Sequence, residues 1–213
     1  MTDEPQTRGN FPVMAIAAKP TPQARPASVE QRMLINGVSW KDYVILREAL
    51  DTPGLRMTYC EGMLELMSPS FGHEADKKSI ARLVELYGFL RRLRLNGYGS
   101  TIFRREAKQR GLEPDECYCV GRAMKEAEFP DIALEVIHTN PLLDKLQVYA
   151  GLGVPEVWLF RGGAFELYRL AGDHYDRIER SHFLPELDLA LIARLAAYPD
   201  QQDALDELRR LLG

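Results

Sequence analysis

Three acidic residues fall at or within segments that otherwise consist of apolar, strand-forming residues. Asp115 comes just before the run ECYCV, and Asp131 and Glu135 lie in the run DIALEV. A buried charge without a partner costs several kcal/mol, so each of these carboxylates needs a compensating group. Carboxylate oxygens are also the ligands that Mg²⁺ prefers in proteins. The three acids therefore indicate a metal site or a set of ion pairs.

Strand geometry decides which two of these acids can act together. Asp131 and Glu135 share one face of a strand but are four residues apart, which is about 13 Å and too far to hold one small cation. If the two runs form a hairpin centred near Lys125, Asp115 lies across from Glu135 or Val136, at about 5 Å. Both carboxylates then reach a Mg²⁺ ion, whose oxygen ligands lie at about 2.1 Å. A bulge in either strand would turn one side chain to the wrong face.

Two further residues are candidates on predicted helices. Lys145 lies in the first turn of the helix after Glu135, where it could position and help deprotonate a water or stabilise charge on a scissile phosphate. Its alternative interpretation is a solvated lysine beside Asp144. Glu74 enters the long helix, either as a first-turn acid favoured by the helix dipole or as an acid that supports a metal ligand.

Other enzyme classes find little support in the motifs. The four histidines show no metal-ligand spacing, and the sequence has no glycine-rich phosphate loop and no nucleophile elbow. Ser68 has no histidine placed to complete a hydrolase triad. Cys117 and Cys119 share one face of a strand, which is typical of small buried side chains, although a zinc or redox role is an alternative.

Length and composition predict a single intracellular domain. The chain has 213 residues, 46% apolar and 27% charged, with no apolar run near the roughly 18 residues of a membrane span. Three cysteines argue against a disulfide scaffold. The start MTDEPQTRGN lacks the basic and apolar regions of a secretory signal. We therefore expect a cytoplasmic protein without membrane association.

The charge distribution leaves the partner open. The net charge is −4, yet residues 73–112 hold ten Lys or Arg against four Asp or Glu. Such a basic segment can follow a nucleic-acid backbone, since phosphate binding depends on Lys and Arg. A solvated helix face rich in arginine explains it equally well.

The order of predicted elements gives an α/β (α+β) fold, a mixed β-sheet flanked by helices. Residues 1–30 contain five prolines among small and polar residues and predict a disordered tail, so residues 31–213 form the single domain. A helix follows Ser39 and ends near Pro53. The hairpin LRMTYC and MLELMS then turns at Glu61 and Gly62.

The remaining elements are predicted in the same way. A long helix covers 72–96 and ends at Gly97. Three strands in one sheet follow, and Asn140 and Pro141 begin the next helix. The elements after that are a hairpin, an edge strand and one or two C-terminal helices. The three strands are YGSTIFRRE, ECYCV and DIALEV, the hairpin is VPEVWLF with AFELYRL, the edge strand is HYDRIERS and the helical segment is 188–212.

Several of these segments together resemble a known family. The runs EGMLELMSPSFGHE, EPDECYC, FPDIALEVI and DKLQVYAGLGVPEVWLF are similar to those of the Uma2 family, a domain of unknown function described as restriction-endonuclease-like within the PD-(D/E)xK nuclease superfamily. The resemblance covers about residues 39–185. It implies a restriction-endonuclease-like core of mixed sheet and helices that binds a divalent metal between adjacent strands.

Carried over residue by residue, the resemblance assigns Asp115 and Glu135 as metal ligands, Lys145 as the catalytic lysine and Glu74 as the acid of the first long helix. One position departs from the superfamily pattern. A lysine is expected two residues after the strand acid, but Ile137 stands there, so catalysis depends on Lys145 reaching in from its helix. Asp131 competes with Asp115 for the motif aspartate, and the 13 Å separation favours Asp115. His73 lies in a matching stretch without an assigned role.

The leading hypothesis is a Mg²⁺- or Mn²⁺-dependent endonuclease acting on DNA. The rival hypothesis, supported by Ile137, is an inactive nuclease fold that serves as a binding or dimerisation module. The apolar residues 157–170 and the leucine-rich C-terminus are compatible with a homodimer or with a packed core. A metal or redox sensor that uses Cys117 and Cys119 is the third possibility.

Overall fold

Two β-sheets and five α-helices make up residues 29–52, 54–126 and 128–213, the part of the chain that the computed structural model describes. Most of the predicted N-terminal tail, residues 1–28, and Pro53 lie outside these residues. The elements are β1 (Gln31–Asn36), α1 (Trp40–Ala49), β2 (Arg56–Cys60), β3 (Met63–Ser68), α2 (Phe71–Leu90), β4 (Leu95–Gly97), β5 (Phe103–Arg105), β6 (Arg110–Leu112), β7 (Glu116–Val120), β8 (Ile132–Ile137), α3 (Lys145–Leu152), β9 (Glu156–Arg161), β10 (Ala164–Ala171), β11 (His174–Ile178), α4 (Leu189–Ala196) and α5 (Gln201–Leu212).

The strands form a small sheet and a large sheet. The small sheet has the order β1-β3-β2-β6-β5 and is antiparallel throughout. The large sheet has the order β11-β10-β9-β8-β7-β4, and only its central pair β8 and β9 is parallel. The large sheet is therefore mixed, with helices packed on it, which confirms the predicted fold class.

Alternating side chains bury both faces of the large sheet. On one face Leu134 and Trp158 pack against α2, α4 and α5. On the other face Ala133 and Leu159 pack against α3 and the strand β6 of the small sheet. The apolar hairpin β9-β10 is thus used for packing within the chain. None of the helices in the described ranges is long and apolar enough to cross a membrane.

Side-chain caps determine where the helices begin. The Ser39 hydroxyl accepts a hydrogen bond from the Asp42 amide at 3.1 Å, and Ser70 caps α2 in the same way. Asp144 accepts from two amides at the start of α3. This cap explains why α3 begins at Lys145 rather than directly after Pro141, since the cap residue itself lies outside the helix.

The long helix ends earlier than its sequence predicts. It ends at Leu90, and Gly97 lies in the strand β4 instead of acting as the helix stop. Arg92 adopts a left-handed conformation with φ 55°, and the Leu93 amide donates to the Gly88 carbonyl at 2.8 Å. These are the features of a Schellman cap, which usually has glycine at the left-handed position. An arginine there gives no stop signal in the sequence.

The segment YGSTIFRRE does not share a sheet with β7 and β8, so that prediction is wrong. Its residues Phe103–Arg105 form β5, which pairs with β6 in the small sheet. A short 3₁₀ turn and a left-handed Gln109, with φ 48°, fold the chain back before it reaches β7. The strands β1 and β4 were not predicted, because neither shows a clear apolar alternation.

One close contact joins α1 to the small sheet. Gly111 of β6 lies opposite Tyr59, and a Cβ at position 111 would lie 2.4 Å from the hydroxyl oxygen of the fully buried Tyr43. We expect Gly111→Ala to lower the free energy of unfolding by about 1–3 kcal/mol, because overpacking displaces a rigid ring. Gly54→Ala is the matched control, since a Cβ there meets nothing within 4 Å. Equal urea midpoints for both variants would contradict this packing.

Candidate active site

The β7-β8 hairpin brings two of the predicted residues together. Glu116 pairs with Leu134, so the register continued by one residue sets Asp115 across from Glu135. The Val136 amide donates to Asp115 Oδ2 at 2.8 Å, which attaches the aspartate to β8. Strand alternation places Glu135 on the face of Ala133, toward α3. The juxtaposition expected from a hairpin centred near Lys125 is present.

A lysine and a tyrosine from α3 reach the same carboxylate. Lys145 Nζ lies 3.2 and 3.1 Å from the two oxygens of Glu135, and the Tyr149 hydroxyl donates to Oε1 at 2.5 Å. Lys145 is 8% exposed and Glu135 is 3% exposed. The interpretation of Lys145 as a solvated surface lysine is therefore wrong. The side chains of Lys145 and Tyr149 are one turn apart on α3, so both contact Glu135 from the same face of the helix.

A buried histidine completes the surroundings of Asp115. His73 is fully buried, with Nε2 3.0 Å from Asp115 Oδ1 and Nδ1 3.0 Å from Glu30 Oε2. Burial alone would lower the pKa of His73, but the hydrogen bond and charge of Asp115 and the charges of Glu30 and Glu135 raise it above the usual value. The raised pKa favours the imidazolium, which donates from both nitrogens.

The two facing carboxylates have opposite pKa shifts. Burial would raise the pKa of Asp115, but the hydrogen bond and charge of His73, together with Lys145, hold it below the ordinary value. Burial raises the pKa of Glu135; Lys145 opposes this, Asp115 adds to it, and the net shift is upward. A carboxyl group whose pKa is raised by folding contributes less to the stability of the folded protein as the pH rises through that pKa. Burial and the charge of Asp115 thus outweigh the stabilisation that Lys145 gives to the Glu135 carboxylate.

This donor set fits Mg²⁺ or Mn²⁺. A Mg²⁺ site commonly uses one or two carboxylates and takes its other oxygens from water and substrate phosphate. Within residues 29–52, 54–126 and 128–213, no group of three or more His, Cys, Asp or Glu side chains could hold a metal ion. A cation held between Asp115 and Glu135 would offset their mutual repulsion.

The other predicted acids lie elsewhere. Asp131 accepts from the Val120 amide at 2.8 Å and from Arg122 at 2.6 Å, so it fastens the far end of the same hairpin. Glu74 pairs with Lys77 and, at 3.7 Å, with Arg56. No contact among the described residues joins the Glu74 carboxylate to Asp115 or Glu135.

The position of the expected superfamily lysine is apolar. Ile137 is 6% exposed and belongs to the core under α3. Lys145 fills the corresponding space next to Glu135 from the helix, as the sequence argument required. His73, Glu30 and Tyr149 were not predicted, because their contacts join separate elements whose packing leaves no periodic pattern in the sequence.

The two cysteines of β7 behave as core residues. Cys117 and Cys119 are fully buried and unpaired. Burial raises the pKa of Cys117 to about 12, so its thiol is not in the reactive thiolate form at neutral pH. These observations agree with the interpretation as small buried side chains.

A surface cavity of about 440 Å³ provides access to Lys145. Its wall also includes Asn140, Arg161 and Tyr168, which can contact a phosphate or a base. A larger cavity, about 740 Å³, lies beside α4 and contains none of the predicted site residues.

Comparison with known proteins supports a nuclease-like assignment. The model of the Uma2 family, whose description reads "Putative restriction endonuclease", matches residues 40–197. This range includes Asp115, Glu135 and Lys145. A search of curated proteins found no match.

The electrostatic coupling of the pair can be measured directly. In Asp115→Asn the pKa of Glu135 should fall toward its ordinary value, because a neighbouring negative charge that raises it has been removed. Carbon-detected NMR titration of the Glu135 carboxyl in metal-free protein measures this shift. Asp131→Asn, a change at the other Pro-Asp sequence, should leave the Glu135 titration unchanged. A Glu135 pKa that is the same in wild type and Asp115→Asn would show that the pair is not coupled.

Proposed function

This chain belongs to the Uma2 family, and from that premise we propose that it is a metal-dependent endonuclease that hydrolyses phosphodiester bonds of DNA. One observation carries the proposal: two carboxylates from adjacent strands and one lysine from a helix meet in the interior. The contacts of Asp115 and Glu135 with His73 and Lys145 support it.

Asp115 and Glu135 are the residues that would hold Mg²⁺ or Mn²⁺. When bound, the ion polarises the phosphate and lowers the pKa of a water ligand. Asp115 stays anionic because His73 and the Val136 amide both stabilise its charge. Tyr149 holds the Glu135 carboxylate in place by its short hydrogen bond. His73 and Tyr149 thus act as positioning residues.

Lys145 supplies the positive charge that the superfamily pattern would place at position 137, where this chain has Ile137. Its ammonium contacts Glu135, and Lys145 is also one of the residues that line the surface cavity. There it can orient the attacking water and offset the negative charge that builds up on the phosphate. Because Lys145 is anchored by Glu135, little reorganisation is needed when substrate binds.

Variants of the carboxylates test the proposal. Purified protein with Mn²⁺ should cleave plasmid DNA, and Asp115→Asn and Glu135→Gln should each lower the rate by about 10²-fold or more. Calorimetric titration should show Mn²⁺ binding that both variants lose. Asp131→Asn is the matched control and should keep cleavage and binding.

Two results would contradict the nuclease. Equal cleavage by wild type and both variants would identify a contaminating enzyme. DNA binding without any metal-dependent cleavage would favour the binding module, which Ile137 makes the second candidate.

Measurements of DNA cleavage and of Mn²⁺ binding should distinguish the role of Lys145 from the role of the two carboxylates. Lys145→Met should reduce cleavage by about 10²–10³-fold, because a charge that stabilises the transition state is lost. It should retain Mn²⁺ binding, because both ligand carboxylates remain and no ammonium competes for Glu135. Lys41→Met, at an exposed site of α1, is the charge-matched control. Loss of Mn²⁺ binding in Lys145→Met would instead show that the lysine holds the site together.

A further inference from the structure

A second cluster of buried charges surrounds Glu113, which precedes Asp115 by two residues in the chain. Glu113 is 4% exposed and accepts two arginines from separate elements, Arg47 of α1 and Arg56 of β2. Arg47 Nη2 lies 2.6 Å from Glu113 Oε1 and 3.1 Å from Asp51 Oδ1. Arg56 makes only long contacts, 3.4 Å to Glu113 Oε2 and 3.7 Å to Glu74 Oε1.

This cluster leaves donors of both arginines, and also the acceptors Glu113 Oε1 and Glu74 Oε1, without a well-oriented hydrogen bond among the described residues. Arg47 Nε and Nη1 and Arg56 Nε are buried and have no hydrogen-bond partner among the described residues. The side chain of Arg47 is 5% exposed. Unsatisfied buried donors carry a desolvation penalty, and a site that keeps them implies an acceptor.

A cavity adjoins these donors. It has a volume of about 500 Å³ and is lined by Arg47, Arg56 and Glu113 together with Asp51, Thr52, Ser100 and Ile102. Guanidinium groups bind phosphate oxygens through paired, charge-assisted hydrogen bonds. The acceptor that best fits two arginines lining one cavity is therefore a phosphate group, which both guanidinium groups can bind if they turn from Glu113 toward it.

We propose that the Arg47-Arg56 pocket binds a phosphate of the DNA backbone next to the phosphodiester that is cleaved. The assignment to DNA rests on the proposed function. The Cα atoms of residues i and i+2 are at most about 7 Å apart. Because Glu113 is part of the pocket, the pocket therefore lies close to Asp115. A strand advances about 3.4 Å per nucleotide along the helix axis, so a neighbouring phosphate falls within this span. The incoming phosphate competes with Glu113 for both arginines.

This competition predicts opposite effects of two variants. The full chain is used without divalent metal and with EDTA, so no cleavage is involved. Affinity is measured for inorganic phosphate by calorimetry and for a labelled duplex by anisotropy. Arg56→Gln should weaken both affinities about tenfold, the effect of losing one hydrogen bond to a charged group. Glu113→Gln should strengthen both, because it removes the internal competitor. Arg177→Gln, at an exposed position of β11, is the control.

Thermal unfolding of each variant separates binding from folding. If Arg56→Gln does not fold, the Glu113→Gln result alone decides, since a purely structural ion pair predicts lower stability with unchanged phosphate affinity. Unchanged affinities in Glu113→Gln would overturn the inference. Tight binding of inorganic phosphate with a DNA affinity that neither variant alters would overturn the backbone assignment. Metal-dependent cleavage is scored separately, so the nuclease and the pocket can fail independently.

Discussion

Asp115 and Glu135 carry two negative charges into the interior on adjacent strands, and the cost of that burial determines what surrounds them. Each carboxylate is compensated from a different side. An imidazole and a backbone amide serve Asp115, whereas an ammonium and a phenol from α3 serve Glu135. The compensation is incomplete, because the pKa of Glu135 remains raised by burial despite Lys145. The divalent cation proposed above would offset the repulsion that remains between the two carboxylates.

The same constraint joins the two sheets. Glu30 contacts His73 and also accepts two hydrogen bonds from Arg32, whose other end pairs with Glu65 of the small sheet. Glu65 in turn accepts from the amides of residues 142 and 143 at 2.9 Å, which fixes the loop that leads to Lys145. Glu30 falls in the segment that composition predicts to be a tail, yet it is buried. Positioning of the large-sheet carboxylates thus depends on residues of the small sheet.

Local patterns were sufficient for much of this arrangement. The runs ECYCV and DIALEV lie on either side of a polar loop, so a symmetric hairpin sets Asp115 opposite Glu135. The observed register agrees with this prediction. The caps at Ser39 and the turn at Gly62 follow from side-chain chemistry and backbone conformation in the same way. The early end of α2 did not follow, because an arginine rather than a glycine takes the left-handed position. Segment YGSTIFRRE was assigned to the wrong sheet, since strand pairing between distant segments leaves no periodic signal.

The sequence by itself determined the mixed architecture and the position of Asp115 opposite Glu135, because strand period and hairpin register are local properties. The family followed from the resemblance of its motifs. Only the tertiary structure decided that His73 and Glu30 complete the site, that Lys145 is buried against Glu135, and that Glu74 pairs away from it. It also decided that the basic segment is divided between α2 and the strands of the small sheet, with Arg82 held by Gln201 and Arg110 by Glu61. The physical reason is that compensating a buried charge requires groups that are close in space, and chain folding brings these together from positions that are far apart in sequence.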